Sequence, residues 1–522
     1  MIDVAIVGAG LTGLALAHRL TAEGLSVTVF DARARTGGRI HTDTTDTRGA
    51  HVDLGACWYW PDTEPRITAL IDSLGLRSLA QPDEGQVLSL HDPGQGPQAL
   101  DVPGIHGGAR RLSGGMSRLV EALMEPLEDA AVQLRHRLVA LRDAGDHLEL
   151  QMARTDAGVE HLLRVQARHV VLAMPPRLIA QTVRFQPALP ASTLAALNAV
   201  STWMAVQAKA VARFDRPFWL AQGQSGSAFV QHPQAVLHQV WDASDERGAA
   251  LAGFCAMAPD TRATFERSLG LLASSQLAQL FGPEGHAAPI TLMDWAKDPW
   301  TCSDLDRTDL QIEPPQADPL LRRAHWSGRL LFGGTETARQ AAGHMEGALE
   351  SAARLADFLR PARRPRSQPV PPLDDALKTF TQWVGQERQS ALLRYRQHVN
   401  HWLSRQDQDR VTQRAVLATV EQTYARALEQ LADLELNTAS VTGTDQHELT
   451  PRVLAAFSGF SKALADEALA FNAGSCALSN FPEEHRPDPD YLRAITADLA
   501  AAWREFAWSV HDLLCARARH AA

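Results

Sequence analysis

Lysine is scarce in this chain of 522 residues: of 50 cationic side chains only Lys209, Lys297, Lys378 and Lys462 are lysines. A lysine in a catalytic position is therefore easy to single out. Lys209 closes the strand-like run Met204-Ala205-Val206-Gln207-Ala208-Lys209, which leads to Phe214 and Pro217-Phe218-Trp219. A strand lysine either snorkels to solvent on its aliphatic stem or carries its charge into an apolar site, where it can orient water. The second chemistry-bearing pattern is Gly8-Ala9-Gly10-Leu11-Thr12-Gly13. Glycines at this spacing permit a tight turn, close backbone approach to a pyrophosphate and close helix–strand packing. The five cysteines, Cys57, Cys255, Cys302, Cys476 and Cys515, are widely spaced and contain no CxxC pair. Neither a disulfide framework nor a thiolate zinc site is expected. His398 and His401 stand three residues apart in helical sequence with no third ligand at suitable spacing, so no metal is expected there.

The elements that must position these residues are legible around the glycines. The apolar run Ile2 to Val7 predicts a strand, Leu14 to Leu20 a helix, and Val27 to Phe30 a second strand. Asp31 follows, eighteen residues after Gly13, where an acid can accept hydrogen bonds from ribose hydroxyls. The helix N-terminus faces the phosphate charge.

Composition bounds the rest. Hydrophobic residues make up 45% and charged residues 21%, and the net charge is −10, which gives a nucleic-acid partner no electrostatic support. No uninterrupted apolar run of about 18 residues occurs, and the N-terminus lacks the pattern of a secretory leader. A cytoplasmic protein without membrane association is the expectation. Five prolines and three arginines crowd residues 361–372, which predicts an extended linker. Before it, strand runs alternate with helical stretches. After it, helical periodicity dominates at about 373–405, 407–437 and 488–519, with a less regular segment at 449–472.

Further motifs stand in order along residues 2–360: Arg35-Thr36-Gly37-Gly38-Arg39, Val52-Asp53-Leu54-Gly55-Ala56, Gly114-Gly115-Met116, the Lys209 run, Gly333-Gly334-Thr335-Glu336, and Gly343-His344-Met345-Glu346-Gly347. Together they resemble the flavin-dependent amine oxidase family, and most of all its short bacterial members. The resemblance implies an α/β fold: a Rossmann-like FAD-binding domain from 1–60, 108–177 and 286–360, and an interleaved α+β substrate domain from 61–107 and 178–285 with a mixed sheet flanked by helices. An all-α bundle then occupies 373–522.

By the same resemblance the FAD contacts are Gly8, Gly10, Gly13, Asp31, Arg39, Gly55, Ala56, Gly115, Met116, Leu138, Trp295, Gly334, Thr335, Glu336 and Met345. Arg39 would neutralise pyrophosphate charge. Leu138 would lie against the adenine. Met345 would start a helix whose N–H groups face the flavin N1–C2=O edge. Lys209 would stand near flavin N5 as the catalytic lysine, holding water. The implied reaction is hydride transfer from the α-carbon of an amine or amino acid to N5. It gives an imine and then a carbonyl compound, with reoxidation by O2 to hydrogen peroxide.

The chain departs from monoamine oxidases at two places. Where those enzymes attach flavin through a cysteine, Asp304 stands, with Cys302 two residues away, so non-covalent FAD is expected. Where they place two tyrosines before the flavin, Leu305 and His344 stand. Tryptophan must supply any aromatic wall, and Trp58, Trp60 and Trp300 join Leu305 and His344 as pocket candidates. Two other readings remain open: a desaturase or C–C or ring oxidase on the same scaffold, and a non-catalytic flavin-binding partner. Residues 373–522 match no named family. Oligomerisation or docking to a protein partner, a lid over the flavin, and a second catalytic domain are the readings for them, in that order. Trp383, Trp402, Trp503 and Trp508 are expected in the bundle core.

Overall fold

A computed structural model describes residues 1–45, 49–102, 104–128, 131–156, 158–308, 314–360, 373–404, 410–434, 446–474 and 482–521. The chain divides into two compact units, Met1–Pro361 and Ala362–Ala522. The proline-rich segment 361–372 lies outside the described residues.

The first unit is built on two sheets. In the first, strand β1 (Ile2–Val7), whose last four residues are buried, is an apolar run suited to burial on both faces. It lies between β2 (Val27–Phe30) and the inner end of the long strand Val159–Leu172, parallel to both. Leu330–Phe332 and Val132–Gln133 extend the parallel part on either side. Parallel neighbours require a crossover, supplied between β1 and β2 by helix α1 (Leu11–Ala22), which buries Leu14, Leu16, Ala17 and Leu20. That face packs in one core with Leu349, Ala352, Leu355 and Ala356 of the unit's last helix, Met345–Leu359. Leu148–Asp156 pairs antiparallel with both His136–Asp143 and Val159–Leu172.

The second sheet has seven strands in the order Ile290–Asp294, Ala208–Phe214, Ala249–Cys255, Leu237–Asp242, Gln224–Val230, Gln86–Leu90 and Gln98–Leu100. All neighbours are antiparallel except the pair Gln86–Leu90 and Gln224–Val230. Successive strand residues face opposite sides. In Ala208–Phe214 the residues Ala208, Ala210 and Ala212 therefore join a core with Trp219, Leu277 and Phe281. Val211 joins a different one with Val52, Leu54, Cys57 and Trp241. The side-chain period places Lys209 on the side of Val211.

These are the α/β architecture and mixed sheets expected from the sequence. Sheet membership differs at two boundaries: Arg184–Gln186 pairs in the first sheet and Ile290–Asp294 in the second. They lie across the divisions expected at 177/178 and 285/286. Only the pairing partner decides such a case, because a short apolar strand reads alike in either sheet.

The second unit contains the long helices Leu373–Ser404, Val411–Asp433 and Pro489–Ala521. The less regular segment resolves into two helices, Gln446–Ala455 and Phe460–Gly474. Pro451 inside the first and Gly459, with φ +71°, before the second are what blur the periodicity. Phe380, Tyr395, Tyr424, Phe457 and Phe506 form the core, and Trp383, Trp402 and Trp503 pack against it. Trp508 does not: it is 71% exposed. It stands two residues, roughly 200° of helix, from buried Phe506 and so on the opposite face. His398 is half-buried and stacks on Trp402 at 5.8 Å, while the side chain of His401 lies outside the described residues. Among the described residues, no helix is long and apolar enough to cross a membrane.

Candidate active site

The glycine turn joins β1 to α1. A Cβ on Gly13 would fall 2.0 Å from the Gly8 carbonyl oxygen, so only glycine lets the helix sit against the turn. At Gly10 a Cβ would meet nothing closer than 4.0 Å, the distance to the Gly37 oxygen and Gly38 Cα. That position faces an open cradle between the turn and the Arg35–Arg39 loop, which is held by the Gly37 N–H donating to the Ala9 oxygen at 2.8 Å. Asp31 is buried and accepts hydrogen bonds from the Ala9 N–H and the Arg33 N–H, both at 2.8 Å. The acid thus organises the glycine turn itself, a role its position at the end of β2 did not disclose. A carboxylate has lone pairs beyond these two bonds for ribose hydroxyls.

Arg39 forms an ion pair with buried Glu336 at 2.6 Å. The turn at Gly334, whose φ of +103° suits glycine, leads into Thr335, whose hydroxyl donates to the His344 carbonyl oxygen at 2.6 Å. The last helix begins at Met345, as its motif predicts. Leu138 is buried with Ala5, Val7 and Phe30. Buried Met116 and Gly115 approach Asp53: the Met116 N–H and the Thr42 hydroxyl both donate to Asp53 Oδ1, at 2.9 and 2.6 Å. Burial nonetheless pushes the Asp53 carboxyl above the usual range. The loop from Asp53 to Ala56 lies tight on Arg39, since a Cβ on Gly55 would fall 1.8 Å from the Arg39 oxygen. Trp295 is buried and donates from Nε1 to the Leu54 oxygen at 3.1 Å.

Lys209 is 2% exposed. Its Nζ donates to the Gly55 oxygen at 2.6 Å, the Asp53 oxygen at 3.0 Å and Cys57 Sγ at 3.4 Å. It also lies 5.2 Å from the Trp241 ring centre and 5.4 Å from that of Phe254, both favourable cation–π distances. The snorkelling reading is thereby excluded: the ammonium sits against the loop that carries Gly55 and Ala56. Burial raises the Cys57 thiol, and raises Cys302 to about 11. A neutral, buried Cys302 is a poor site for covalent attachment.

Among the aromatic candidates, Trp58 is central. Its ring lies 6.4 Å from Trp60, 5.3 Å from His106, 4.6 Å from Trp241 and 6.5 Å from Phe254. Its Nε1 donates to Gln81 at 2.8 Å. His344 stacks on Trp203, 4.4 Å between centres and 30° between planes. Trp300 instead lines a cavity of about 520 Å³ with Ala32, the residue after Asp31, and with Arg33, Arg35, Arg135 and Asp298. Leu305 is 45% exposed. Sequence reasoning missed His106, Gln81, Trp241, Phe254 and Glu64. None belongs to a spaced motif; sheet pairing and loop packing bring the first four near Trp58 or Lys209, and Glu64 lies against Trp60 and His344.

Burial lowers the His106 pKa to about 4, helped by Arg111. A histidine held neutral in the fold makes stability rise with pH between about 4 and 6.5, because the unfolded chain binds the extra proton there. Titrated from pH 7 to pH 4, the wild type should lose up to about 3 kcal/mol more than His106→Gln. Parallel stability curves for the two would refute this.

A Rossmann-like βαβ unit with an open glycine cradle, an acid at the end of β2 and an Arg39–Glu336 ion pair whose carboxylate is buried fits FAD, and the class is that of FAD-dependent oxidoreductases. Residues 6–74 match the NAD(P)-binding Rossmann-like domain, and residues 94–359 match the family described as Flavin containing amine oxidoreductase. The chain belongs to this amine oxidoreductase family, and its cofactor is non-covalent FAD. It is 25% identical over 410 residues to putrescine oxidase of Kocuria rosea, covering 57% of this chain and 83% of that protein. It is 23% identical to flavin-containing amine oxidase B of Sus scrofa over 458 residues, 68% of this chain and 85% of the relative. Among solved structures, cyclohexylamine oxidase from Brevibacterium oxydans IH-35A shares the fold, with a TM-score of 0.56 at 19% identity, over 69% of this chain and 98% of that one.

Proposed function

We propose that this protein is an amine oxidase that transfers a hydride from the α-carbon of a small amine or amino acid to flavin, releasing an imine and hydrogen peroxide. The observation that carries the reading is Lys209, buried and bonded to the Asp53 and Gly55 carbonyls within an aromatic cluster. When bound, FAD supplies the two-electron acceptor and its reoxidation by O2. Gly10, Arg39, Glu336 and the start of the helix at Met345 would hold it, at its phosphates and its flavin edge. Lys209 fixes the Asp53–Cys57 loop through its bonds to the Asp53 and Gly55 carbonyls and the Cys57 sulfur. Trp58, Trp60, Trp203 and His344 form the substrate wall and exclude bulk water, which strengthens every charge interaction inside. The matches to putrescine oxidase and to amine oxidase B support an amine substrate. Buried Cys57, Cys255 and Cys302 are free thiols, as suits a cytoplasmic setting.

The test is anaerobic mixing of the purified holoenzyme with panels of monoamines, diamines and amino acids. At least one should bleach the flavin and yield one peroxide per turnover once O2 is admitted. If none bleaches it while another substrate yields an unsaturated or ring-oxidised product, the amine reading is wrong.

A further inference from the structure

We propose that His344 is the group that takes the proton from the substrate ammonium, and that Glu64 is the positioning residue that holds and charges it. The inference deepens the amine oxidase reading and rests on it. His344 is the N-cap of the helix Met345–Leu359 and keeps 24% of its side chain exposed. Its Nδ1 lies 3.7 Å from Oε1 of Glu64, whose side chain is 9% exposed, within ion-pair range. Glu64 is itself fixed: Oε2 accepts the Trp60 N–H at 2.9 Å, and the residue is the N-cap of helix α2 (Pro65–Ser73).

The same two helix starts are bound a second time from the other side. Glu346 accepts the Arg66 N–H at 3.0 Å, the Ile67 N–H at 2.9 Å and an Arg66 guanidinium bond at 3.2 Å. Trp203 covers the imidazole in a stacked geometry, and Gly343 leaves room for it, since a Cβ there would fall 2.7 Å from the indole. Among the described residues, the charged groups near the imidazole include Glu64 and Arg66 at the start of α2, Glu346 on the last helix, and Arg39, which donates to the Trp203 oxygen at 3.3 Å and pairs with Glu336. Glu346 is bound to Arg66, and Glu336 to Arg39. Glu64 is the carboxylate facing Nδ1.

This arrangement answers a requirement of the chemistry. Amines are ammonium ions near neutral pH, and an ammonium nitrogen has no lone pair with which to expel the α-hydride. In the step assigned to His344, an ammonium N–H bond breaks and its electron pair returns to nitrogen. The proton bonds to the imidazole Nε2, and the positive charge moves onto the ring. The carboxylate beside Nδ1 keeps the proton there in the neutral ring, leaving Nε2 to accept, and then stabilises the imidazolium; the indole face adds a cation–π contact.

The test is the pH dependence of the second-order rate of anaerobic flavin reduction by an amine that the wild type oxidises. With His344 as acceptor, the rate is level from about pH 7 to about pH 10 and falls tenfold per unit below that, as the imidazole protonates. In His344→Phe, which keeps a ring on Trp203, the plateau should vanish and the rate should climb about tenfold per pH unit up to the amine pKa. In Glu64→Gln the acid limb should move to lower pH by about one unit, because a carboxylate at ion-pair distance favours the charged ring and the amide does not. The dissociation constant of a primary amine without an α-hydrogen, read by calorimetry, should follow the same shapes. A wild-type rate that rises tenfold per unit between pH 7 and 9 would overturn the proposal, and that profile decides even if a variant fails to hold FAD. So would an unshifted acid limb in Glu64→Gln. If no amine reduces the wild-type flavin at all, it is the amine oxidase reading that fails.

Discussion

Replacing Lys209 by methionine is expected to leave FAD bound and to slow flavin turnover by about 10² or more, in reduction by amine, in reoxidation by O2, or in both. Methionine matches the stem in volume but removes the ammonium that donates to the Gly55 and Asp53 oxygens at 2.6 and 3.0 Å. Two carbonyls then lose a donor, at a cost of about 1–3 kcal/mol for each that stays dry. The Val52–Ala56 loop is also pinned by Trp295 Nε1 on Leu54 and by Asp53 on Met116, so the backbone should hold. Stopped-flow absorbance of the two half-reactions separates the alternatives. Rates within twofold of wild type in both would remove Lys209 from the mechanism.

The largest loss of stability should follow Arg262→Met. Arg262 is 1% exposed and binds four acceptors. It reaches Asp294 at 2.6 and 3.0 Å, the Met257 oxygen at 2.6 Å and the Val206 oxygen at 2.7 Å. Val206 leads into the Lys209 strand, and Asp294 also accepts from the Ala296 N–H at the turn that carries Trp295. Removing one partner of such a pair strands a carboxylate, typically at 3–5 kcal/mol. A lowered melting temperature with earlier FAD release, followed by flavin fluorescence, is the expected result. Unchanged melting would show that solvent reaches Asp294 once the guanidinium is gone.

The two cases mark what a sequence discloses. Lys209 was legible because it is one of four lysines and closes a recognisable run. Arg262 was not, because it is one arginine among many and sits in no motif. Its importance arises from two strands, Ala208–Phe214 and Ile290–Asp294, that pair although about 80 residues separate them. The same holds at the site wall. Trp58 and Trp60 could be suspected from their place after the Leu54–Ala56 motif, whereas Trp241 and Phe254 enter only through sheet register. Trp508 shows the converse error: residue type suggested burial, and helix phase put it outside.

The sequence by itself determined the nucleotide-binding unit, the family and the separate helical region. Each of these rests on local spacing: a strand, three glycines, a helix and an acid within thirty residues, or a 3.6-residue period sustained over several turns. Only the tertiary structure decided what surrounds Lys209, that Asp31 holds the glycine turn, and that Glu64 stands beside His344. Those contacts join residues distant in the chain. Their geometry is set by how two sheets and two helix starts pack, and no single segment carries that information.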